Sequence, residues 1–206
     1  MLIYFFKQIS SLELLKIDMK NSFDYLFRDA NFPKELEKEL ENVLSYKKVK
    51  KREILLSANT YVNKLFFVVD GCLRSFYQDE EAREHTLHFA VDNAAITDFV
   101  ALYNKKLSSL YIECVTDSII IEIDFIKYEK ALIKYKELES FQRVVYERHI
   151  STLSNRILNQ LTLTATERYK LFLAEFPQVN ELAPNHHIAS YLGIAQQSLS
   201  RLKSQI

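Results

Sequence analysis

Apolar and polar residues follow three successive textures along the chain. In residues 33–44, "PKELEKELENVL", Leu36, Leu40 and Val43 or Leu44 recur at helical spacing. Pro33 falls in the first turn, where its missing N–H costs nothing. The period then drops towards two. "EILLSA" precedes "KLFFVVDGCLRSFY", in which Asp70-Gly71 separates two strand-like runs and predicts a two-residue hairpin. "REHTLHFA" alternates, with His85, Leu87 and Phe89 on one face and Glu84, Thr86 and His88 on the other. "SLYIECV" and "SIIIEI" alternate in the same way, and Asp117 between them suits a tight connection. Residues 96–109, "ITDFVALYNKKLSS", predict a short helix between strands. Short strands at this spacing, without long helices between them, imply a sandwich or a barrel.

From about Asp124 the pattern is helical. "FIKYEKALIKY" predicts one helix and "KELESFQRVVYERHISTLSNRILNQL", residues 136–161, a long one. Leu138, Phe141, Val145, His149, Leu153, Ile157 and Leu161 form a slanting apolar stripe along it. Either the chain's own barrel covers that stripe, or a second copy does. Its length favours a two-stranded dimer seam. "TATE", Thr164 to Glu167, matches a capping box opening the helix "RYKLFLAEF", which stops at Pro177. "PQVNELAP" reads as a connector.

The final stretch, "PNHHIASYLGIAQQSLSRLKSQI", holds one of the two glycines of the chain. Counted from Asn185, Ile188 is fourth, Ala189 fifth, Leu192 eighth, Gly193 ninth, Ile194 tenth, Leu199 fifteenth and Leu202 eighteenth. A helix-turn-helix needs apolar residues at these positions to pack its helices, and a small residue at the fifth where they approach. It prefers glycine at the ninth, where the turn is left-handed. All seven requirements are met.

Composition narrows the function. Among 206 residues, 27 Lys plus Arg balance 27 Asp plus Glu, so the chain as a whole offers no electrostatic attraction to nucleic acid or an anionic membrane. Any such attraction is local. From Asn185 to Ile206 there are Arg201 and Lys203 and no acidic residue. Cys72 and Cys114 match no metal-ligand spacing, exclude a four-thiolate iron–sulfur cluster within one chain, and suggest a reduced, cytoplasmic protein. "LIYFF" near the N-terminus is too short for a membrane span and lacks the preceding basic region of a signal peptide. Residues 1–19 form an N-terminal extension, and a start at Met19 is the alternative reading.

The order of barrel, long helix and helix-turn-helix resembles the Crp/Fnr (catabolite activator) family of transcription regulators over residues 20–206. "RYKLFLAEFPQVNELAPNHHIASYLGIAQQSLSRL" looks like its Bacteroidetes-type branch. The resemblance implies an α+β chain. A cyclic-nucleotide-binding-type β-roll (jelly roll) would span residues 20–124, linker and dimerisation helices 125–161, and a helix-turn-helix domain 162–206. It also implies a cytoplasmic homodimer with double-stranded DNA and RNA polymerase as partners, no membrane, and Leu138, Phe141, Val145, His149 and Leu153 at the dimer interface. Many members continue past the recognition helix into a β-hairpin wing. Here the chain stops at Ile206, either because this branch does without a wing or because the chain is truncated.

Family members that bind cyclic AMP carry a Gly-Glu pair for the ribose and an Arg-Ser pair for the phosphate. These positions fall on Thr97 and Asp98 and on Ser108 and Ser109. Asp98 suits the ribose with a shorter arm, but the arginine is missing. A phosphate in a partly dry pocket needs such a bidentate partner, so no tight cyclic AMP binding is expected and no cofactor is assigned. Lys105 and Lys106 read as a solvated loop. Phe66, Phe67, Phe76, Tyr77, Phe89 and Tyr111 are candidates to fill the roll.

In the recognition helix, residues 195–206, Gln196 and Gln197 suit adenine and Arg201 suits guanine or phosphate. Ser198 and Ser200 suit phosphate contacts, and Lys203 phosphate or solvent. His186 and His187 suit backbone contacts from the first helix. As a metal site the histidines look poor, since His85 and His88 point to opposite faces of a strand and His186 and His187 splay by about a hundred degrees on a helix. Two glycines placed at 71 and 193 cannot make a P-loop, G-x-S-x-G or G-x-G-x-x-G, so the chain does not read as an enzyme.

Overall fold

In the computed structural model, the structure describes residues 22–27 and 30–205, so the expectation for the N-terminal extension lies outside the described residues. Two short helices, α1 (Ser22–Phe27) and α2 (Lys34–Glu41), lead into eight strands. These are β1 (Leu44–Val49), β2 (Ile54–Leu56), β3 (Lys64–Asp70), β4 (Leu73–Gln78), β5 (Glu84–Ala90), β6 (Ala95–Ile96), β7 (Leu110–Cys114) and β8 (Ser118–Asp124), with α3 (Phe99–Asn104) between β6 and β7. The chain then runs through α4 (Phe125–Lys134), α5 (Lys136–Thr162), α6 (Ala165–Glu175), α7 (Pro177–Leu182), α8 (Asn185–Leu192) and α9 (Gln196–Gln205).

The strands form two antiparallel four-stranded sheets, β1-β8-β3-β6 and β2-β7-β4-β5, stacked as a jelly roll. Val49, Phe66, Val68, Leu73, Ala90, Ile112 and Ile120 meet between them. Both sheets are also covered on their outer faces. Phe67, Val69, Ile121 and Ile123 of the first sheet pack on α1, α2, α4 and Leu138 of α5. Phe89 of the second sheet packs among Phe172, Ile188, Leu192 and Leu199 of the C-terminal helices. Covering on two sides explains why "LFFVV" is a continuous apolar run and why β8, expected to alternate, also buries neighbouring isoleucines.

The Asp70-Gly71 corner is not a hairpin. β3 pairs with β8 and β6, and β4 pairs with β5 and β7, so the corner carries the chain from one sheet to the other. Only Gly71 has positive φ there, at 101°. Asp117 likewise sits where β7 crosses to β8, and its carboxylate accepts from Lys50 Nζ and Lys51 N–H, both at 2.9 Å. A turn signal states that φ is positive, while the partners of a strand are set by long-range pairing.

Two further expectations change. Residues 177–182 form α7, with Pro177 in its first turn, rather than an irregular connector. The alternation of β5 is broken by a bulge. Ser75 pairs with His88 and Phe76 with Thr86, leaving Leu87 as the extra residue. Leu87 is therefore exposed while Phe89 is fully buried against the C-terminal helices. Of the six aromatic candidates to fill the roll, only Phe66 lies between the sheets. The Thr164 capping box is present, with Glu167 returning its carboxylate to the Thr164 N–H.

A Cβ at residue 71 would face Ser118 and lie 2.9 Å from the Asp117 carbonyl, on a backbone that side chains rarely adopt. Gly71→Ala is expected to lower stability by roughly 1–3 kcal/mol, measured by urea unfolding. A loss below the error of the fit would show that the corner relaxes.

Candidate nucleic-acid interface and its seat on the roll

The sequence of α8, Gly193 and α9 folds as two interlocked helices. Ile188, Ala189 and Leu192 of α8 and Leu199 and Leu202 of α9 are buried together, and Ile194 is half-buried beside them. Gly193 closes α8 with φ 66° and ψ 38°, its N–H donating to the Ala189 and Ser190 carbonyls. This is a left-handed helix end of the kind glycine favours.

The opposite side of α9 is open. Gln196, Gln197, Ser198, Ser200 and Arg201 are all exposed, and the Ser200 hydroxyl donates to the Gln196 carbonyl at 3.2 Å. Lys203 is committed elsewhere. Its Nζ donates to Asn185 Oδ1 at 2.7 Å and to the Asn180 carbonyl at 3.4 Å, which ties α9 to α7 and α8. Burial holds its pKa below the ordinary lysine value.

The outer side of α8 sits on the edge of the second sheet. β5 is the last strand of that sheet, so one row of its backbone groups has no strand partner. Ser190 Oγ accepts from the Thr86 N–H and donates to the Glu84 carbonyl, both at 2.8 Å. Arg156 of α5 donates to the Leu87 carbonyl at the bulge and to the Tyr191 carbonyl, and its guanidinium lies 4.1 Å from the Tyr191 ring centre. One arginine thus joins the roll, the long helix and the helix-turn-helix.

Beneath α8 lies a charge cluster for which sequence reading had no place. Arg74 of β4 is 1% exposed. It donates to Glu113 at 2.6 Å, to Glu84 and to Thr86 at 3.2 Å, and stacks on Phe76 at 4.1 Å. Arg74 and Glu113 are directly paired across β4 and β7. The signal available was the arginine inside the apolar run "GCLRSFY" with acidic residues on two later strands. His187 covers this cluster, buried, and desolvation together with Arg74 pushes its pKa down to about 3. His85 instead joins Asp79 at 2.9 Å, and His88 lies 6.3 Å from His149 between ring centres, so those two histidines do part.

Three of the four ligand-pocket positions, Asp98, Ser108 and Ser109, bind one another, while Thr97 turns to β3. Asp98 caps α3, accepting from Ala101 N–H at 3.0 Å, from Ser108 Oγ at 2.9 Å and from Ser109 N–H at 3.3 Å. Thr97 Oγ1 donates to the Lys64 carbonyl at 2.8 Å. A neighbouring cavity of about 300 Å³ is lined by Leu55, Thr60, Tyr61, Val62, Lys64 and Phe66 among others. Cys72 and Cys114 are buried, and desolvation raises both thiols to about 12, which keeps them unreactive.

Of the stripe on α5, Leu138 is fully buried in its own core and Phe141 packs on Phe27 and Phe32. His149 lies against Phe99, with ring centres 5.0 Å apart. Val145 and Leu153 are partly exposed, and Ile150, Ile157 and Leu161 much more so. None of the described helices is long and apolar enough to cross a membrane.

This architecture of jelly roll, long helix and helix-turn-helix is the fold of Crp/Fnr-type regulators. FixK2 from Bradyrhizobium japonicum superposes with a TM-score of 0.67 at 20% identity, over 79% of this chain and 84% of that one. A transcriptional regulator of the Crp/Fnr family from Eubacterium rectale gives 0.67 at 19% identity, over 89% and 86%. The c-di-GMP responsive global regulator CLP of Xanthomonas campestris gives 0.61 at 11% identity, over 84% and 91%. No protein-family profile and no curated protein matches the chain in sequence.

His88 supplies a pH test of the seat on the roll. Burial, with His149 and Arg156 nearby, lowers its pKa from 6.5 to about 3. The unfolded chain therefore takes up a proton below about pH 6.5 that the folded chain refuses. The stability that depends on neutral His88 is complete above that pH and is lost as pH falls towards 3. Thermal melts at pH 7 and pH 5 are expected to differ less in His88→Gln than in the parent. An equal drop would assign the acid sensitivity to other groups.

Proposed function

We propose that the chain is a DNA-binding transcription regulator of the Crp/Fnr type, of the Bacteroidetes-type branch, acting in the cytoplasm as a homodimer. The observation that carries this reading is the division of α9 into two faces. Leu199 and Leu202 anchor it, while Gln196, Gln197, Ser198, Ser200 and Arg201 stand free beside a left-handed Gly193 turn. Gln196 and Gln197 read adenine, Arg201 reads guanine, and the serines contact phosphate. Lys203 contributes to phosphate binding only if it leaves Asn185.

The dimer seam runs along the exposed part of α5. Ile150, Leu153, Ile157 and Leu161 follow one another at steps of three and four, while Leu138 and Phe141 serve the chain's own core. Val145 and His149 border the seam. RNA polymerase is the further partner that the reading implies.

Cyclic AMP is not the signal in this reading. The Asp98 carboxylate is engaged by three donors, and no arginine lies at Ser108 or Ser109 to meet a phosphate. Calorimetry is expected to show no binding at micromolar cyclic AMP. A micromolar dissociation constant would refute that part.

Selection of bound fragments from genomic DNA tests the whole. A palindrome with half-sites about 34 Å apart is the expected product, with a shallow salt dependence. Arg201→Ala is expected to cost about 1–3 kcal/mol and to relax preference at one position; uniform loss on all sequences would make it a phosphate contact. No enrichment at low salt would leave a ligand-binding or scaffold roll with a helix-turn-helix that does not bind.

A further inference from the structure

Glu84 at the start of β5 and His186 and His187 in the first turn of α8 each present a ligand atom, and these atoms lie within 4.8 Å of one another. Sequence spacing predicts that the two histidines diverge, since neighbours on a helix point about 100° apart. In the fold their rings converge instead, with centres 4.2 Å apart and planes nearly perpendicular. His187 is pressed down over the Arg74 cluster while His186 stays exposed at its rim.

Two further observations point to a missing ligand. His187 is 8% exposed, and the structure gives neither of its ring nitrogens a hydrogen bond: Nδ1 is buried without a partner, and Nε2 is the nitrogen on the carboxylate side. Its Nε2 stands 3.7 Å from Glu84 Oε2 and 3.9 Å from Glu113 Oε1. Both separations are too long for a hydrogen bond. Nitrogen and oxygen ligands about 2.0–2.1 Å from one tetrahedral zinc lie about 3.3 Å apart, so His187 and the Glu84 carboxylate need only a modest shift to share an ion. Charge agrees. Two carboxylates, Glu84 and Glu113, face one guanidinium, Arg74, which holds Glu84 Oε2 and Glu113 Oε1, so Glu84 Oε1 is the oxygen left to meet an ion.

We propose that Glu84, His186 and His187 bind a divalent late first-row transition-metal ion, zinc in the first instance, and that the ion fastens the helix-turn-helix to the roll. Two imidazoles and one carboxylate select zinc, cobalt or nickel over magnesium and calcium, which prefer all-oxygen shells. The exposed His186 ring and the one-third-exposed Glu84 side chain give the ion a path from solvent. Because β5 supplies one ligand and α8 the other two, an occupied site resists separation of the two parts. The site goes beyond the DNA-binding reading and stands or falls without it.

Titration of the full chain with cobalt(II), followed by visible absorption, tests the site directly. The expected result is one ion per chain, displaced by zinc, with zinc also raising the melting temperature. His186→Ala and Glu84→Gln, checked for folding by circular dichroism, should each weaken cobalt binding at least about tenfold. His85→Ala removes the neighbouring histidine that pairs with Asp79 and should leave binding unchanged. Absence of a cobalt spectrum overturns the proposal. So does undiminished binding in folded His186→Ala or Glu84→Gln, or loss of binding in folded His85→Ala.

Discussion

β5 is an edge strand, and an edge strand presents a row of backbone donors and acceptors that must be satisfied, hidden or left open to association. Here α8 and α5 satisfy them. A serine hydroxyl fills the place of a missing strand, accepting from Thr86 and donating to Glu84, and an arginine takes the carbonyl that the bulge at Leu87 frees. Once α8 lies on that edge, the remaining features of the second sheet follow. Phe89 has an apolar surface to meet, and Arg74 is shut away from water with Glu84 and Glu113 as its partners. A buried guanidinium is tolerated only with such partners; removing one would typically cost about 3–5 kcal/mol.

The first sheet is covered by local means. Its outer face is covered by helices immediately before and after the roll, α1 and α2 on one side of the sequence and α4 with the start of α5 on the other. The second sheet depends on helices roughly a hundred residues away from β5. The contact between Thr86 and Ser190 spans 104 residues. Docking of this kind closes a long loop, so the roll's second face and the helix-turn-helix core are coupled in stability as well as position.

Much of this was legible in the chain, for physical reasons that differ by element. Thr164 and Glu167 cap a helix because the capping box is local chemistry, and Ile188, Ala189, Leu192, Leu199 and Leu202 are buried because helix interlock imposes a spacing. A sandwich or barrel followed from the rhythm of strands, its jelly-roll form from the family resemblance, and the long helix from its period. What escaped was non-local. Asp70-Gly71 has the residues of a hairpin, yet its flanking strands pair elsewhere. One extra residue at Leu87 reverses the faces of β5 beyond it, and no residue type announces it. Within α5 the stripe is continuous in sequence but divided in space, its first turns spent on the chain's own core. At the candidate sites, the open face of α9 was readable from spacing, whereas the capture of Lys203 by Asn185 and the meeting of His186 and His187 with Glu84 required the fold.

The commitment of Lys203 to Asn185 reaches beyond packing. Arg201 is left as the cation that α9 turns to solvent. For a protein that finds its site on DNA as proposed, random sequence then acts as a poor sponge, because the pull of unselected phosphates grows with the number of free cations. Few molecules would be held idle along a genome. The number free to fill a true site would follow the number made, and modest changes in synthesis would register directly as changes in occupancy.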